Sequence, residues 1–560
     1  MEIHRVNADV LVIGSGGAGL LAASRAKQAG ADVLVIDKAL IGRGGATVEA
    51  AAVAATGPWS ASGDGVDVHF KDTVAGGKLI NNQLLVRKMV TEIGDRVREL
   101  ETMGLYFDKD PSGKYVLDIG GGHTYPRLLW VTPGWVGLQI VKVLWKRMLQ
   151  LGVRLRPYTH VTRLLVRDGA AVGAIGVDFR SGTILAVAAR SIVLATGGIG
   201  QLYPVTTNPR NSTGDGIVLA LEAGVRLVNM EQVQFYPACV VYPESVKGVG
   251  LGVLEYSKLY NAQMERFMTR YEPGRLESTT RDLVARAIFT EIKEGRGTSH
   301  SGVYLDAREV SEKDFTPYVP EYEICHRWGV DLKHELVEVA PGAHYFMGGV
   351  EIDERCRTSI AHLYAAGEVA GGLHGANRLN GNSIADVLVF GVIAGEEAAA
   401  DALRSDLVPV PDEQERRETT RIANLLDRGE RPMRSVQLRE KLRELMWRNV
   451  SLIRTTRDLE KTVAALRALR ENEITQVGIE SERLRWNNEL RDYLELEAMI
   501  GVSECIVHAA LTRRESRGAH HISEYPTQDD VAWMKNTVTT KTGSGITTST
   551  GVVARLDAPS

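Results

Sequence analysis

The chain has 560 residues, of which 44% are hydrophobic and 24% are charged, and its formal net charge is −4 at pH 7. A chain of this length and hydrophobic content can bury a large core and form several structural units. Because 66 basic residues nearly balance 70 acidic ones, the composition provides no electrostatic footprint for nucleic acid and argues against DNA or RNA as a partner.

The N-terminal segment is polar and runs directly into an apolar stretch at residues 8–13, a pattern that predicts a cytoplasmic protein. No apolar run reaches the roughly 18 residues of a membrane-spanning helix, so we expect no direct membrane insertion, and any membrane association would come through partner subunits. The four cysteines, Cys239, Cys325, Cys356 and Cys505, form no Cys-x-x-Cys pair. They are predicted to be buried small hydrophobic residues, with no metal site, so that an iron-sulfur centre would lie on another subunit.

The first predicted unit is a strand, a glycine-rich turn and a helix within residues 8–28. Gly14 allows a sharp turn out of the strand, Gly16 lets the backbone approach a pyrophosphate, and Gly19 lets the helix pack closely on the sheet. The N-terminus of the helix adds free amides and positive dipole charge. This turn therefore predicts a site for a nucleotide pyrophosphate.

A second apolar stretch at residues 33–36 completes a β-α-β unit and ends at Asp37. An acidic residue at this point is placed to accept a hydrogen bond from a ribose hydroxyl. The surrounding unit makes the glycine spacing much more specific than a glycine-rich turn alone.

Two more strand-to-glycine turns follow, Thr196-Gly197-Gly198 after residues 191–195 and Gly367-Glu368 after residues 361–366. Another glycine-rich stretch, residues 211–216, leads into a helix. A nicotinamide-binding domain usually needs one such loop, whereas the three turns resemble a flavoprotein of the glutathione-reductase kind, which builds its site from distant pieces. That resemblance implies FAD as the cofactor.

The pattern along the chain predicts an α/β protein with a Rossmann-like FAD-binding domain, an α+β capping domain inserted into it, and a C-terminal helical bundle. Helical periodicity favours four late helices, near residues 412–427, 435–455, 457–471 and 483–512. The predicted boundaries are an FAD-binding domain at 1–224 and 346–405, a capping and substrate domain at 225–345, a helical domain at 406–536, and an irregular or edge-strand tail at 537–560.

Four specific motifs resemble the flavoprotein subunits of succinate dehydrogenase and fumarate reductase, a family that includes L-aspartate oxidase. They are Thr280-Arg-Asp-Leu-Val-Ala-Arg286 with Glu294-Gly-Arg-Gly297, His344-Tyr-Phe-Met-Gly-Gly349, His374-Gly-Ala-Asn-Arg-Leu-Asn-Gly-Asn-Ser383, and Arg514-Glu-Ser-Arg-Gly-Ala-His520. The resemblance extends from residue 8 to about residue 536.

The resemblance implies a set of cofactor-binding residues. They are Gly14, Gly16, Gly17, Ala18, Gly19, Asp37, Lys38, Gly44, Gly45, Ala46, Thr47, Thr196, Gly197, Gly198, Asp215, Glu368, Arg378, Asn382 and Ser383. Asn382 and Ser383 are expected to cap a helix whose N-terminus faces the flavin. Ala46 stands where the covalently flavinylated members have a histidine, so the FAD is expected to be non-covalent.

The same resemblance implies the chemistry. Hydride passes between flavin N5 and one carbon of a C=C bond, and Arg281 exchanges a proton with the neighbouring carbon. Because arginine is a weak acid, the family embeds it in a relay, whose residues here are Glu255 and Lys258. His344 and Arg378 are expected to bind the substrate carboxylate next to the reacting bond. His344 would donate a directional hydrogen bond, and Arg378 would bind the carboxylate through a bidentate ion pair.

The far end of the substrate site departs from the family. Dicarboxylate-specific members have a histidine where this chain has Tyr236 and a threonine where it has Leu254. Both changes weaken binding of a second carboxylate. These two changes suggest an unsaturated monocarboxylate as the substrate. The alternative is a fumarate reductase in which the residues that hold the second carboxylate, the dicarboxylate clamp, are altered.

We therefore expect an FAD-dependent oxidoreductase of the fumarate reductase and succinate dehydrogenase type, with a small carboxylate as substrate and an iron-sulfur subunit or another electron carrier as partner. One alternative is amino acid oxidation of the L-aspartate oxidase type, which would require the dicarboxylate clamp. Another is an electron-transfer subunit, which would not require Arg281, Glu255, His344 and Arg378 together.

Overall fold

A computed structural model of the chain describes residues 1–132, 134–279, 281–543 and 545–556. Thr280, the first residue of one motif above, and the last four residues of the expected tail lie outside the described residues.

Over these residues the chain forms nineteen strands. They are β1 (Ile3–Ile13), β2 (Val33–Ile36), β3 (Val53–Ala54), β4 (Leu117–Asp118), β5 (Leu128–Leu129), β6 (Arg154–Arg156), β7 (Thr159–Arg167), β8 (Ala170–Asp178), β9 (Thr183–Leu194), β10 (Leu227–Val228), β11 (Val233–Val240), β12 (Lys258–Tyr260), β13 (Val303–Asp306), β14 (Val337–Phe346), β15 (Gly349–Glu351), β16 (Leu363–Ala365), β17 (Ala370–Gly371), β18 (Lys535–Thr542) and β19 (Gly545–Val552).

The α-helices of the described part number fourteen. They are α1 (Gly17–Gln28), α2 (Val66–Gly76), α3 (Gln83–Thr102), α4 (Val136–Leu151), α5 (Asp215–Glu222), α6 (Met268–Tyr271), α7 (Arg281–Lys293), α8 (Glu312–Phe315), α9 (Val319–Arg327), α10 (Asn382–Ala402), α11 (Asp412–Leu426), α12 (Ser435–Val450), α13 (Thr456–Ala468) and α14 (Asn488–Thr512). None of these helices is both long enough and apolar enough to cross a bilayer.

The central sheet confirms the predicted Rossmann-like core. Its strand order is β6-β2-β1-β9-β8-β7, with β16 pairing β9, and β1 runs parallel to both β2 and β9. The four residues of β2 are buried, as expected for a parallel strand covered on both faces. Helices α1 and α10 pack closely on each other because Gly391 and Gly395 leave room for the backbone at Ala18 and Ala22.

The capping domain has its own sheet, in the order β11-β14-β13-β12, and its own apolar core. This core includes Val253, Leu259, Ile288, Val303 and Phe315. The cap follows α5 and β10 and returns to the FAD-binding domain through β14, so the fold is an α/β domain with an inserted α+β domain.

The last quarter of the chain contains the bundle α11–α14, and its helices lie close to the predicted positions. Of the two forms predicted for the tail, irregular or edge-strand, the structure has the second, and it begins at Lys535 rather than at residue 537. A hairpin of β18 and β19 joins β10, β15 and β17 in a five-stranded sheet, with β19 at its edge. Thr537 and Thr539 are fully buried, because β18 pairs with β10 at the start of the cap.

Candidate active site

A cavity of about 790 Å³ runs from the carboxyl end of the central sheet to the underside of the cap. Most of the predicted site residues line it: Gly14, Gly16, Gly17, Ala18, Asp37, Lys38, Gly44, Gly45, Ala46, Thr47, Thr196, Gly197, Gly198, Asp215, Tyr236, Glu255, Arg281, His344, Glu368, Arg378 and Ser383. Residues more than 350 positions apart in the chain thus share one space.

The first glycine turn is held by close backbone packing. Gly14 has a φ of +101°, and a Cβ there would lie 2.3 Å from the carbonyl oxygen of Ala195. A Cβ at Gly19 would lie 2.0 Å from the carbonyl oxygen of Gly14, so Gly19 supports packing of the helix rather than lining the cavity. The N–H of Gly17 donates to Thr47 Oγ1 at 3.1 Å, which joins the turn to the segment containing Ala46.

Asp37 ties the end of β2 to the same turn. Its carboxylate accepts hydrogen bonds from the N–H of Ser15 at 2.8 Å, from the Ser15 hydroxyl at 2.5 Å and from the N–H of Ala39 at 2.8 Å. Asp37 therefore lies beside the first glycine turn and lines the cavity, and its contact with a ribose stays a prediction.

Lys38 belongs to a buried charge cluster on the cavity wall. Its ammonium lies 2.5 Å from Asp215 and 3.1 Å from Glu495. Burial alone would lower the pKa of Lys38, but the charges of Asp215 and Glu495 raise it above its ordinary value. His160, also on this wall, lies 3.8 Å from Asp215. Sequence reasoning missed His160 and Glu495, since neither belongs to a recognised motif.

Glu368 lies in the third glycine turn, where its carboxyl accepts a hydrogen bond from the N–H of Phe346 at 3.0 Å. Burial raises its pKa to about 7. A Cβ at Gly198 would lie 2.2 Å from this carboxyl, so the second and third turns meet only because position 198 is glycine.

The wall formed by these turns fits a nucleotide cofactor. Five buried polar atoms of cavity-lining residues have no hydrogen-bond partner among the described residues: Trp130 Nε1, His160 Nδ1, Thr196 Oγ1, Asn208 Oδ1 and Asp215 Oδ1. Buried polar groups normally have partners, so a ligand with donor and acceptor groups suits this part of the cavity.

The other end of the cavity is built by the cap. Helix α7 begins at Arg281, and a 3₁₀ turn, Gly252–Tyr256, presents Glu255 to it. Arg281 Nη2 lies 3.2 Å from Glu255 Oε1, and the guanidinium lies 5.3 Å from the centre of the Tyr236 ring. Burial opposes the charge of Arg281, but Tyr236 and Glu255 raise its pKa above the ordinary value.

His344, near the end of β14, is oriented by two neighbours. Its Nδ1 lies 2.8 Å from the Thr207 hydroxyl, which accepts a hydrogen bond of 3.5 Å from Asn208 Nδ2. The Thr207 hydroxyl is then free to donate its proton to His344 Nδ1, an arrangement in which Nε2 carries the ring proton. Burial, with the charges of Arg378 and Arg281, lowers the pKa of His344 well below its ordinary value, so the ring is neutral.

Arg378 is buried beside this histidine. Its Nε donates to Gln234 Oε1 at 3.3 Å and its Nη1 donates to the carbonyl oxygen of Leu379 at 3.1 Å. The guanidinium also lies 4.9 Å from the centre of the Tyr345 ring. Burial lowers its pKa to about 10, which still leaves a cation at neutral pH.

Besides Gly19, three predicted residues do not line the cavity: Lys258, Leu254 and Asn382. Lys258 begins β12 and its ammonium pairs with Glu309 at 2.5 Å, so the structure does not bring it to Arg281. Leu254 is 4% exposed and belongs to the apolar core of the cap.

Asn382 does not cap α10, because Gly381, with a φ of +77°, occupies the N-cap position. The Asn382 side chain instead joins α2, since its Oδ1 accepts from His69 Nε2 at 2.9 Å and its Nδ2 donates to Thr73 Oγ1 at 3.1 Å. Ser383 does line the cavity, as predicted for the start of this helix.

Sequence reasoning did not predict two residues that line the cavity at the cap end, Tyr318 and Glu321. Glu321 Oε2 accepts a hydrogen bond from the N–H of Gly252 at 2.7 Å. Glu321 shares one face of α9 with Ile324 and Cys325, at spacings of three and four residues. The sequence signal that could have identified Glu321 is an acidic residue on an otherwise apolar helix face.

Two family models match the chain. The FAD binding domain model matches residues 9–384, and the fumarate reductase flavoprotein C-terminal model matches residues 439–554. The match to the first model covers more than half of the chain, including both parts of the FAD-binding domain and the cap between them.

The chain is also similar to curated proteins over nearly its whole length. One subunit of the fumarate reductase (CoM/CoB) of Methanothermobacter marburgensis is 40% identical over 543 residues, which cover 94% of this chain and 96% of that protein. The fumarate reductase flavoprotein subunit of Escherichia coli is 33% identical, with 96% and 92% covered. The L-aspartate oxidase of Streptomyces coelicolor is 32% identical, with 95% and 91% covered.

Solved structures are likewise similar to this chain over nearly its whole length. One chain of the E. coli quinol fumarate reductase has a TM-score of 0.92 and 31% identity, and the match covers 100% of this chain and 98% of that one. One chain of the Mycobacterium smegmatis Sdh1 complex has a TM-score of 0.90 and 35% identity, with 99% and 95% covered. The chain therefore belongs to the fumarate reductase and succinate dehydrogenase family of flavoproteins, FAD-binding oxidoreductases that act on CH–CH groups.

Proposed function

We propose that this protein adds or removes a hydride and a proton across a carbon–carbon bond next to a carboxylate. The observation that carries the proposal is the common cavity: Arg281, Glu255, His344 and Arg378 line the same space as the three glycine turns. A chain that only passed electrons would have no use for this arrangement of a proton-transfer pair and a carboxylate clamp.

FAD is the redox group, and when bound it supplies hydride exchange at N5. We propose that it is held non-covalently, because Ala46 has no nucleophilic side chain at the family's attachment position. The glycine turns would hold the pyrophosphate, with Asp37 near the ribose, as the positions of these groups in the cavity support.

His344 and Arg378 would bind the substrate carboxylate. The hydrogen bond of Thr207 to Nδ1 lets His344 offer its Nε2 proton as a directional donor, and Arg378 adds a buried positive charge. These groups stay in place as negative charge develops on the carboxylate during hydride addition, so they stabilise the transition state more than the ground state.

Arg281 would transfer the proton. The Glu255 carboxylate, 3.2 Å from Nη2, orients the guanidinium and can return a proton to it after transfer. Since Lys258 pairs with Glu309, we propose that the relay in this chain runs through Glu255 without Lys258.

Tyr236 lines the far end of the cavity and Leu254 lies in the cap core. A phenol in place of an imidazole holds a second carboxylate less strongly, which supports an unsaturated monocarboxylate as substrate over fumarate. L-aspartate oxidation is a second candidate because the S. coelicolor enzyme is similar over 95% of this chain, but it needs the same dicarboxylate clamp.

An electron carrier must exchange electrons with the flavin. The Sdh1 complex is an assembly that contains a chain of similar fold, and we propose an iron-sulfur protein or a comparable carrier as the partner, with any membrane association through that partner.

The experiment is anaerobic mixing of dye-reduced holoenzyme with fumarate, urocanate, cinnamate or crotonate while flavin reoxidation is followed. We expect rapid reoxidation by at least one monocarboxylate. Arg281→Gln should abolish this reoxidation while FAD stays bound, whereas Arg286→Gln, a matched change on the same helix at a residue paired with Asp282 at 2.9 Å, should retain it. Activity of Arg281→Gln within a few-fold of wild type would contradict the proton-transfer role, and reoxidation by fumarate alone would contradict the altered clamp.

A further inference from the structure

Among the lysine and arginine side chains that line the cavity, Arg378 differs in having no acidic partner within the described residues. Lys38, Lys247 and Arg281 each pair with at least one carboxylate. The hydrogen bonds of the Arg378 side chain go to uncharged oxygens instead. Because a buried cation without a compensating charge is costly, this arrangement suits a cavity that receives an anion.

The side-chain amide of Gln234 supplies one of these uncharged oxygens and holds the arginine in place. Its Oε1 accepts a hydrogen bond from Arg378 Nε at 3.3 Å. Its Nε2 donates to Asn377 Oδ1 at 2.8 Å and to the carbonyl oxygen of Arg378 at 2.9 Å. Both amide hydrogens therefore bond to two adjacent residues. Gln234 does not line the cavity, so it acts on a ligand only through Arg378.

Two paired strands of the cap fix the orientation of the guanidinium. Gln234 in β11 pairs with Tyr345 in β14, and the Arg378 guanidinium lies 4.9 Å from the centre of the Tyr345 ring. Gln234 thus holds the Nε edge, Tyr345 covers the guanidinium, and the carbonyl oxygen of Leu379 accepts from Nη1 at 3.1 Å. Within the described part of the chain Nη2 has no hydrogen-bond partner, which leaves its two donors for a ligand.

We propose that Gln234 is a positioning residue of the carboxylate site, and that an amide at position 234 keeps the Arg378 cation both oriented and unpaired. A glutamate there has nearly the same shape, but it would form the ion pair that the cavity holds open for a ligand. This inference rests on the proposed function, because it assumes that Arg378 binds the substrate carboxylate. It extends the site to a residue that the cap contributes from outside the cavity.

Two variants separate the charge of this position from its hydrogen bonds. Gln234→Met removes all three hydrogen bonds of the amide and leaves Arg378 unpaired. Gln234→Glu keeps the acceptor for Arg378 Nε and loses only the two bonds that Nε2 donates. A purely structural role predicts that methionine is the more damaging replacement. Our proposal predicts the opposite order for binding of a carboxylate.

The measurement is isothermal titration calorimetry of the oxidised holoenzyme with crotonate, whose far end is a methyl group, so that binding depends on the carboxylate contact. We expect Gln234→Glu to raise the Kd by about hundredfold or more. Gln234→Met should raise it by about tenfold, and both variants should keep their FAD. Gln414→Glu is the matched control, because Gln414 joins α11 to Val166 of β7 through its amide, at 2.8 and 3.4 Å, away from the cavity. This variant should keep the wild-type Kd.

Asn377→Asp gives a second test if Gln234→Glu does not retain FAD. The new carboxylate still accepts the hydrogen bond from Gln234 Nε2, and it adds a negative charge one position from Arg378. The Kd for crotonate should rise by about tenfold, because the added charge partly compensates the guanidinium. Asn377→Ala removes the hydrogen bond without adding a charge and should have a smaller effect.

An effect of methionine equal to or larger than that of glutamate would overturn the positioning role. A wild-type holoenzyme that does not bind crotonate would overturn it as well, since Arg378 would then not hold a carboxylate. If crotonate binds with the expected order of variants, but crotonate, fumarate, urocanate and cinnamate all fail to reoxidise the reduced flavin, the proposed function is wrong and the role of Gln234 stands. The two failures are therefore distinguishable.

Discussion

Replacing Glu231 with glutamine removes one of the two carboxylate partners of the buried Arg513. The Glu231 carboxylate is fully buried and accepts hydrogen bonds from Arg513 Nε at 2.6 Å and from the Thr537 hydroxyl at 2.6 Å. Arg513 is fully buried as well and also contacts Glu515 at 2.8 Å, and Glu515 contacts Arg517 at 2.6 Å. The variant keeps the size of the side chain but removes one of the two negative charges in a buried cluster of two arginines and two glutamates, Arg513, Arg517, Glu231 and Glu515.

Breaking a buried ion pair by neutralising one partner costs about 3–5 kcal/mol, since the other charge stays buried and uncompensated. Glu515 still faces Arg513, and glutamine still accepts a hydrogen bond, so we expect the low end, about 3 kcal/mol. At about 2 °C per kcal/mol for a large domain, the unfolding midpoint of the holoenzyme should fall by about 6 °C.

The assay is thermal unfolding with FAD in excess, together with hydrogen exchange of the β18 hairpin, whose residue Thr537 bonds to Glu231. Faster exchange of the β18 amides is expected. Glu351→Gln is the control: Glu351 pairs with Arg226, and the two side chains are 35% and 56% exposed, so the change should cost about 1 kcal/mol or less. Equal midpoints for the two variants would refute the reasoning.

Three further predictions concern the cofactor and the pH response. Gly14→Ala should bind FAD at least about tenfold more weakly in a flavin titration, because its Cβ would lie 2.3 Å from the Ala195 carbonyl oxygen. Gly30→Ala is the control: Gly30 has a φ of +95° but open space around it, so this variant should keep the wild-type affinity for FAD. Because Ala46 cannot form a flavin bond, acid precipitation should leave all flavin absorbance in the supernatant, and flavin in the pellet would contradict non-covalent binding. Burial, aided by the charge of Arg127, lowers the pKa of His69 to about 3, so the unfolded chain takes up a proton below pH 6.5 while the folded chain does not. The contribution of neutral His69 to the free energy of unfolding is present above pH 6.5 and falls by about 1.4 kcal/mol per pH unit below it. In urea titrations of the apoprotein from pH 7 to 4, the free energy of unfolding of His69→Gln should decline less steeply with falling pH than that of the wild type. An unchanged slope would contradict this role of His69.

The glycine turns and the family motifs were predictable because their signals are local. Gly14 must turn sharply, Gly19 must lie against a backbone carbonyl, and Asp37 must end a buried strand, whatever the rest of the chain does. The same holds for α11–α14, whose apolar periodicity is visible in the sequence.

The predictions at Lys258 and Asn382 depended on side-chain direction, which the motif does not contain. Lys258 starts an edge strand of the cap sheet and reaches Glu309 outside the cavity. Asn382 is the first residue of α10, where Gly381 already takes the N-cap position, so its amide is free to bond to α2.

The sequence by itself determined the cofactor class and the family, and it predicted Arg281, Glu255, His344 and Arg378 as site residues. Tertiary structure alone decided which side chains share the cavity with them. Glu321 faces Gly252, 69 positions away, and the β18 hairpin pairs with β10 across about 300 residues. Such contacts arise from the packing of whole elements, and no local pattern of residues specifies them.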